Sequence, residues 1–289
     1  MAFDMSLVGK PTEAVVSAYT WKETALYALG IGAKEDELDY LYEGRGPKVY
    51  PSFAVVPKFP PMLEVLGKSG GNMAMVVHGG EKVTVHKAFA PAATLKTRAT
   101  IRGIYDLRRF ASMLIDTESR DEKDEVVCTT TSSILFRGEG GFGGETRPKE
   151  SKEGDDEAKI VIPKGVEPDF RIEEATTKEQ ALLYRLSGDP NPLHADPAFA
   201  KAVGFEQGPI LHGLCTFGHM VRHVAKAACG GDATKISAFE AQFRRPVWPG
   251  DTLVTEGWIV ARAPDRIALQ VKVKERDEVV IAGAWATLR

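Results

Sequence analysis

This chain has few cysteines, no long apolar run and almost no excess of charge of either sign. Its 289 residues include three cysteines, and the formal net charge is -3. An odd number of cysteines without metal-type spacing predicts reduced thiols inside a cell. No run approaches the roughly 18 apolar residues of a membrane-spanning helix, and no basic stripe of the kind that binds nucleic acid is present. We therefore expect neither a membrane nor a nucleic-acid partner.

The two ends of the sequence match neither a secretory signal peptide nor a peroxisomal tripeptide. Residues 1–4 read MAFD and lack the basic and apolar stretches of a signal peptide. Residues 286–289 read ATLR, which is not a peroxisomal tripeptide. We expect a cytoplasmic location, with a peroxisomal one as the alternative for a eukaryotic source.

A glycine-rich stretch followed by a charged one divides the chain near its middle. Residues 138–144 read GEGGFGG, and the charged residues that follow have no apolar periodicity. This composition is typical of a linker. We therefore expect an N-terminal domain at 1–144, a linker at 145–160 and a C-terminal domain at 161–289.

The two halves resemble each other in two places. Residues 91–97 read PAATLKT, and residues 249–255, which lie 158 positions later, read PGDTLVT. Thr20 and, 157 positions later, Thr177 are each followed at the third position by Glu or Gln. This spacing is that of a capping box, which opens a helix. Two matches at nearly one offset predict a duplicated fold.

The apolar pattern predicts strands around a helix in each half. A long apolar helix is predicted over 213–228, and its counterpart at 53–67 must start late or be broken because it contains Pro57, Pro60 and Pro61. Strands are predicted where β-branched and aromatic residues cluster or alternate. These segments lie near 73–78, 82–89, 94–104, 110–117, 126–136, 236–243, 252–261, 267–273 and 279–288.

A loop between two predicted helices carries Asp189, Asn191 and His194. One glycine and two prolines keep this loop out of a helix. A carboxylate and an imidazole at this spacing can share the work of general base and general acid on one water molecule, and Asn191 can orient either group. Aspartate and asparagine are also common in loops, where they bond their own backbone. The loop alone therefore leaves a structural role open.

The surrounding residues resemble the hydratase 2 family within the MaoC-like dehydratases. The matching motifs are YRLSGDPNPLH at 184–194 and GPILHGL at 208–214, and the resemblance covers nearly the whole chain. It is strongest to the hydratase part of the peroxisomal multifunctional enzymes of type 2. The resemblance implies an α+β double hot-dog fold, in which two curved antiparallel sheets each surround a helix. It also implies a homodimer.

The implied reaction is the reversible syn addition of water to a trans-2-enoyl-CoA, which gives a (3R)-3-hydroxyacyl-CoA in fatty acid metabolism. Asp189 and His194 are then the catalytic pair, and Asn191 and Glu43 support it. The N–H of Gly213, at the start of the long helix, would stabilise the enolate oxygen of the thioester. The implied contacts to acyl-CoA come from His78, Gly79 and Phe243. We expect no cofactor and no metal; His219 and His223 have the i, i+4 spacing of metal ligands, but the sequence offers no evident third ligand.

The N-terminal half lacks the catalytic residues. At the repeat offset of 157, Asp189 corresponds to Gly32 and His194 to Glu37. We expect this half to be non-catalytic and to accommodate the acyl chain. Three alternatives to the hydratase are a 3-hydroxyacyl dehydratase acting on a carrier protein, a hot-dog thioesterase, and an acyl-CoA-binding protein without catalysis. Only the last two conflict with an intact Asp/His pair.

Overall fold

Ten strands dominate the structure, a computed structural model that describes residues 3–146, 160–262 and 265–289. The strands are β1 Val15–Tyr19, β2 Val76–Val85, β3 Ala93–Asp106, β4 Phe110–Arg120, β5 Val126–Arg137, β6 Phe170–Ala175, β7 Ile236–Phe243, β8 Thr252–Ala261, β9 Arg266–Val273 and β10 Glu278–Leu288. The α-helices are α1 Trp21–Gly30, α2 Leu38–Leu41, α3 Phe59–Lys68, α4 Gln180–Tyr184, α5 Pro197–Ala202 and α6 Gly213–Ala228. No helix in these ranges is long and apolar enough to cross a membrane.

All ten strands belong to one antiparallel sheet. Their order is β1-β3-β4-β5-β2-β7-β10-β9-β8-β6. The central pair, β2 and β7, joins the two halves, and Lys82 lies opposite Glu240 in this pairing. Outward from this pair, the strands of both halves follow in corresponding order. The sheet therefore repeats one five-stranded pattern, and the predicted α+β class is confirmed. Residues 147–159 of the predicted linker lie outside the described residues.

The strand predictions differ from the structure in two respects. The strands β1 and β6 were not predicted. The segments 73–78 and 82–89 were expected to form two strands, but residues 76–85 form the single strand β2. Its pairing with β5 shifts register between His78 and Gly80, which is a β-bulge. A bulge re-aims the side chains beside it. Because β2 is also paired to β7, this bulge lies at the seam between the halves.

The helix α6 is the central helix of the C-terminal half and has the bounds that were predicted. Its side chains are buried from Leu214 to Ala225, and the Phe217 ring packs 5.1 Å from the Phe239 ring of β7. Such all-round burial is typical of a helix enclosed by a sheet.

The equivalent segment of the N-terminal half is broken, as the prolines predict. Residues Pro51–Val55 form a short 3-10 helix, and α3 begins only at Phe59. Prolines lie in the first turn of α3, where no backbone donor is needed. Met62, Val65 and Leu66 of α3 pack in a second apolar cluster that also contains residues of β3, β4 and β5.

Of the two predicted capping boxes, only the first forms. The Thr20 side chain and Glu23 bond reciprocally at the start of α1. The second prediction is wrong, because the buried Gln180 side chain donates instead to the Gly30 carbonyl oxygen at 2.6 Å. The last carbonyls of a helix lack partners within it, and Gln180 satisfies one of them across the two halves.

Candidate active site

The loop at 188–194 is held by bonds within itself. Gly188 has φ 122°, a conformation that favours glycine. The backbone N–H of Asn191 donates to Asp189 Oδ1 at 3.2 Å, and Asn191 Oδ1 accepts from the Leu193 N–H at 3.0 Å. The Asn191 side-chain oxygen therefore caps the 3-10 helix Pro192–His194, whereas it was expected to orient Asp189 or His194. It is the Asn191 backbone that holds the Asp189 carboxylate.

The His194 ring is oriented as a base. Its Nδ1 lies 2.8 Å from the Ile210 carbonyl oxygen. Since a carbonyl only accepts, Nδ1 carries the hydrogen and Nε2 of the neutral ring has a free lone pair. Burial lowers the pKa of His194, against the opposing effects of the Asp189 charge and the Ile210 bond. The imidazole is therefore neutral near pH 7, as a general base requires.

A second histidine, His212, lies against both His194 and Asp189. Its ring stacks on that of His194 with centroids 3.6 Å apart, and its Nε2 lies 3.3 Å from the backbone oxygen of Asp189. Burial, together with His194, lowers the pKa of His212 to about 2. Atoms of Asp189, His194 and His212 lie within 4.8 Å of one another. Sequence reasoning gave His212 no role, although it lies inside the matched motif GPILHGL.

Gly213 is the first residue of α6 and follows His212 directly. The backbone bonds of this helix turn begin with Cys215 and Thr216, whose N–H groups donate to the His212 oxygen. The Gly213 N–H precedes them at the positive end of the helix dipole. A methyl group on Gly213 would lie 3.3 Å from the Phe243 ring, so glycine keeps this contact close.

Two of the three residues expected to contact acyl-CoA, Phe243 and His78, lie near Gly213. The His78 ring is 5.2 Å from the Phe243 ring in an edge contact, and His78 Nε2 lies 3.0 Å from Glu81 Oε2. Gly79 follows at the bulge, where a side chain would come within 2.9 Å of Leu135. The β2–β7 pairing thus brings both halves of the chain to the first turn of α6.

Glu43 was expected near Asp189 and His194, but the structure places it elsewhere. Glu43 is exposed and lies in a segment that reaches the far end of α6, where the Tyr40 hydroxyl donates to the Gly231 oxygen at 2.7 Å. Asp189 and His194 lie at the N-terminal end of this helix, which is about 24 Å long at 1.5 Å per residue. The buried N-terminal glutamate that does reach the candidate site is Glu81.

His219 and His223 do have a carboxylate between them, which sequence reasoning missed. Glu174 Oε1 lies 3.4 Å from His219 Nδ1, and Glu174 Oε2 lies 3.7 Å from His223 Nε2. Arg222, however, donates to both oxygens of Glu174 at 2.9 and 2.7 Å, and also to Glu37. This guanidinium supplies the charge that a metal would bring, so the group is a buried ion network between the halves.

Two family models match the chain in succession. The MFE-2 hydratase 2 N-terminal domain matches residues 17–138, and the MaoC like domain matches residues 161–283. The peroxisomal enoyl-CoA hydratase 2 of Arabidopsis thaliana is 36% identical over 279 residues, which is 92% of this chain and 89% of that protein. This chain belongs to the MaoC-like hydratase 2 family.

Other members of the hydratase 2 family extend the comparison. Peroxisomal multifunctional enzyme type 2 of Mus musculus is 38% identical over 97% of this chain, which spans only 38% of that longer protein. The 3-hydroxyacyl-thioester dehydratase Y of Mycobacterium tuberculosis is 34% identical, with 96% of this chain and 94% of that protein covered.

Solved structures agree with this assignment. A MaoC-like dehydratase from Phytophthora capsici superposes with a TM-score of 0.85 at 30% identity, over 99% of this chain and 98% of that one. A Mycobacterium tuberculosis protein described as having a double hotdog fold superposes with a TM-score of 0.64 at 16% identity, over 97% of this chain and 95% of that one. At this low identity the second match concerns the fold alone, and it confirms the predicted double hot-dog.

Proposed function

We propose that this chain catalyses the reversible (3R)-specific hydration of trans-2-enoyl-CoA to (3R)-3-hydroxyacyl-CoA in fatty acid metabolism. One observation carries the proposal: a neutral base and an oxyanion donor meet at the start of α6. The His194 ring stacks on the His212 ring, and His212 Nε2 lies 3.3 Å from the backbone oxygen of Asp189. The next residue, Gly213, begins α6 and offers its N–H. Addition of water to an enoyl thioester needs both groups at once.

The proposed reaction proceeds on one face of the substrate. A water molecule held by Asp189 and His194 Nε2 adds its oxygen to C3, and the dyad takes one of its protons. The electron pair of the C2–C3 double bond moves toward the thioester carbonyl, whose oxygen becomes an enolate bound by the Gly213 N–H. The enolate then collapses, and C2 takes a proton from the dyad. This returns the dyad to its starting state and gives syn addition.

The substrate contacts follow from the same geometry. With the thioester oxygen at Gly213, the thiol arm would pass Phe243, which covers Gly213, and His78, whose ring contacts Phe243. Gly79 follows His78 at the bulge of β2. The N-terminal half, which lacks the dyad, is proposed to hold the acyl chain. Its 3-10 helix Pro51–Val55 packs against α6 where the repeat would otherwise place a long helix.

Chain length and product configuration test the proposal together. We expect a ten-carbon enoyl-CoA to have a lower KM than crotonyl-CoA, because each buried CH₂ contributes about 0.8 kcal/mol until the pocket is full. Both substrates should give the R product, measured by chiral chromatography of the hydrolysed acids. S product from either substrate would contradict the assigned reaction, while a KM that rises steadily from four carbons upward would contradict only the placement of the acyl chain.

The pH profile tests the state of His194. Since burial lowers its pKa below the ordinary 6.5, the basic form persists as the pH falls through that value. We expect kcat/KM to stay level from about pH 8 to about pH 6 and to decline only below that, since kcat/KM reports the free enzyme's base. Buried neutral histidines also make folding less stable in acid. Enzyme incubated at each pH and assayed at pH 7.5 therefore serves as the control, and an acid limb centred above pH 7 would contradict the assignment.

A carrier-bound substrate is the second candidate, since one relative is named a 3-hydroxyacyl-thioester dehydratase. That reaction is the same one reversed, and the dyad serves both directions. Relative kcat/KM for crotonyl-CoA and for crotonyl acyl carrier protein distinguishes the two candidates. A thioesterase would instead release free thiol, which a thiol reagent detects.

A homodimer and a cytoplasmic location stay predictions. Light scattering at micromolar concentration gives the mass of the assembly, against 31.5 kDa for one chain. Relatives with peroxisomal names make the peroxisome the alternative, and microscopy of the tagged chain in its own cells distinguishes the two.

A further inference from the structure

A buried ion pair lies next to the candidate site and has no part in the mechanism above. Lys58 precedes α3, Glu81 lies on β2, and neither side chain has any exposed surface. The Lys58 ammonium donates to Glu81 Oε2 and, at 2.7 Å, to Ser132 Oγ. Taking both charges out of water costs several kcal/mol for each ion. Such a pair therefore needs a reason beyond stability.

The hydrogen bonds of the Glu81 carboxylate all go to one of its two oxygens. Its Oε2 accepts from Lys58, from Ser132 at 2.9 Å and from His78 Nε2 at 3.0 Å, while its buried Oε1 has no hydrogen-bond partner among the described residues. The ion pair of Glu174 and Arg222 differs, because both oxygens of Glu174 bond Arg222. Buried polar groups are normally satisfied, and an exception points to a functional constraint.

The neighbours of this pair oppose the effect of burial on the two charges. Burial would raise the pKa of Glu81, but Lys58 and His78 hold it below its usual value. Burial lowers the pKa of Lys58, and the negative charges of Glu81 and of Asp189 act in the opposite direction. Lys58 therefore bonds Glu81 directly and also interacts with the charge of Asp189.

The bond to the ionised Glu81 sets the tautomer of the His78 ring. A carboxylate only accepts, so His78 Nε2 carries the hydrogen and Nδ1 of the neutral ring is an acceptor. The His78 side chain is 19% exposed, and its ring packs against Phe243, which covers Gly213. A thioester bound at Gly213 carries the first amide N–H of its pantetheine arm two methylene groups beyond the sulfur.

We propose that Glu81, held by Lys58, is a positioning residue for the hydratase reaction: it fixes His78 with Nδ1 toward the substrate, where this nitrogen accepts the first pantetheine N–H. The inference rests on the proposed function. CoA and acyl carrier proteins share the pantetheine arm, so the contact serves either carrier. Substrates that lack this amide do not benefit from it.

The test compares three thioesters of crotonic acid. Crotonyl-CoA and crotonyl-N-acetylcysteamine contain the amide N–H, and S-butyl crotonothioate does not. We expect Glu81→Gln to lower kcat/KM about 10-fold on the first two, mainly through KM, because one hydrogen bond is worth about 1–1.5 kcal/mol. Glutamine can donate as well as accept, so the ring loses its fixed orientation. On S-butyl crotonothioate we expect a change of less than about 2-fold, since no such bond exists to lose.

Matched variants make the result decisive. Glu174→Gln replaces a carboxylate in the separate network around Arg222 and should change kcat/KM equally on all three substrates. In a His78→Asn background, Glu81→Gln should cause no further loss. If Glu81→Gln does not fold, the double variant Lys58→Met/Glu81→Met replaces the pair with apolar side chains of similar length. Neither position then carries a buried charge.

The outcomes separate the two claims. Equal losses on all three thioesters, or additive losses with His78→Asn, would overturn the positioning role and leave the proposed function standing. An unmodified protein that hydrates none of the substrates would overturn the proposed function itself. If Glu81→Gln lowered kcat/KM equally for crotonyl-CoA and for crotonyl acyl carrier protein, the result would support a contact to the shared pantetheine arm. A loss of kcat/KM for crotonyl-CoA alone would contradict it.

Discussion

Asp189→Asn and His194→Gln should each lower kcat for crotonyl-CoA by at least about 100-fold, the usual scale for the loss of acid–base catalysis. The asparagine cannot accept the proton of the attacking water. The glutamine amide is not basic and cannot replace the lone pair that His194 Nε2 offers while Nδ1 bonds the Ile210 oxygen. Turnover is followed by the loss of enoyl thioester absorbance.

The controls use the same replacements at exposed positions. His86→Gln and Asp36→Asn change exposed side chains outside the candidate site and should leave kcat unchanged. Unfolding curves should show that Asp189→Asn and His194→Gln fold like the unmodified protein. Near-normal turnover by either variant would mean that its residue has been given the wrong role.

Arg222→Met should lower the free energy of unfolding by about 3–5 kcal/mol, the cost of breaking a buried pair by removing one partner. The Arg222 side chain is fully buried and bonds Glu174 and Glu37, which come from different halves of the chain. Without the guanidinium, both carboxylates lose their main partner. Urea unfolding measured by circular dichroism gives the difference.

An exposed ion pair provides the matched control. Arg45 lies 3.4 Å from Asp39, and both side chains are about half exposed. Arg45→Met should change the free energy of unfolding by less than about 1 kcal/mol, as is typical of surface pairs. If Arg222→Met cost no more than this control, the buried network would not stabilise the fold in the way described.

Local signals predicted the elements well where the tertiary structure did not compete with them. The bounds of α6 follow from its apolar pattern, and the late start of α3 follows from its prolines. The capping box at Thr20 forms because Glu23 has no stronger partner. Gln180 has the same spacing but bonds the end of α1, and this contact between distant segments overrides the local pattern.

The same distinction holds for the candidate site. Asp189 and His194 were found because a single loop carries both, and bonds within that loop hold it. Glu43 was misplaced because its segment folds against the far end of α6, which no local pattern indicates. His212 lay inside a matched motif, but its role depends on stacking with a histidine 18 positions earlier.

The sequence by itself determined most strands of the duplicated sheet, the central helix and the loop that carries Asp189 and His194, because periodicity, proline and short-range hydrogen bonds act within a few residues of one another. Only the tertiary structure decided which glutamate reaches the site and which nitrogen of His78 is free. Lys58, Glu81 and Ser132 come from three separate segments, and they meet because β2 pairs with β5 on one side and with β7 on the other. The strength of a buried charge depends on such distant neighbours and on the exclusion of water, and neither is encoded in the residues next to it.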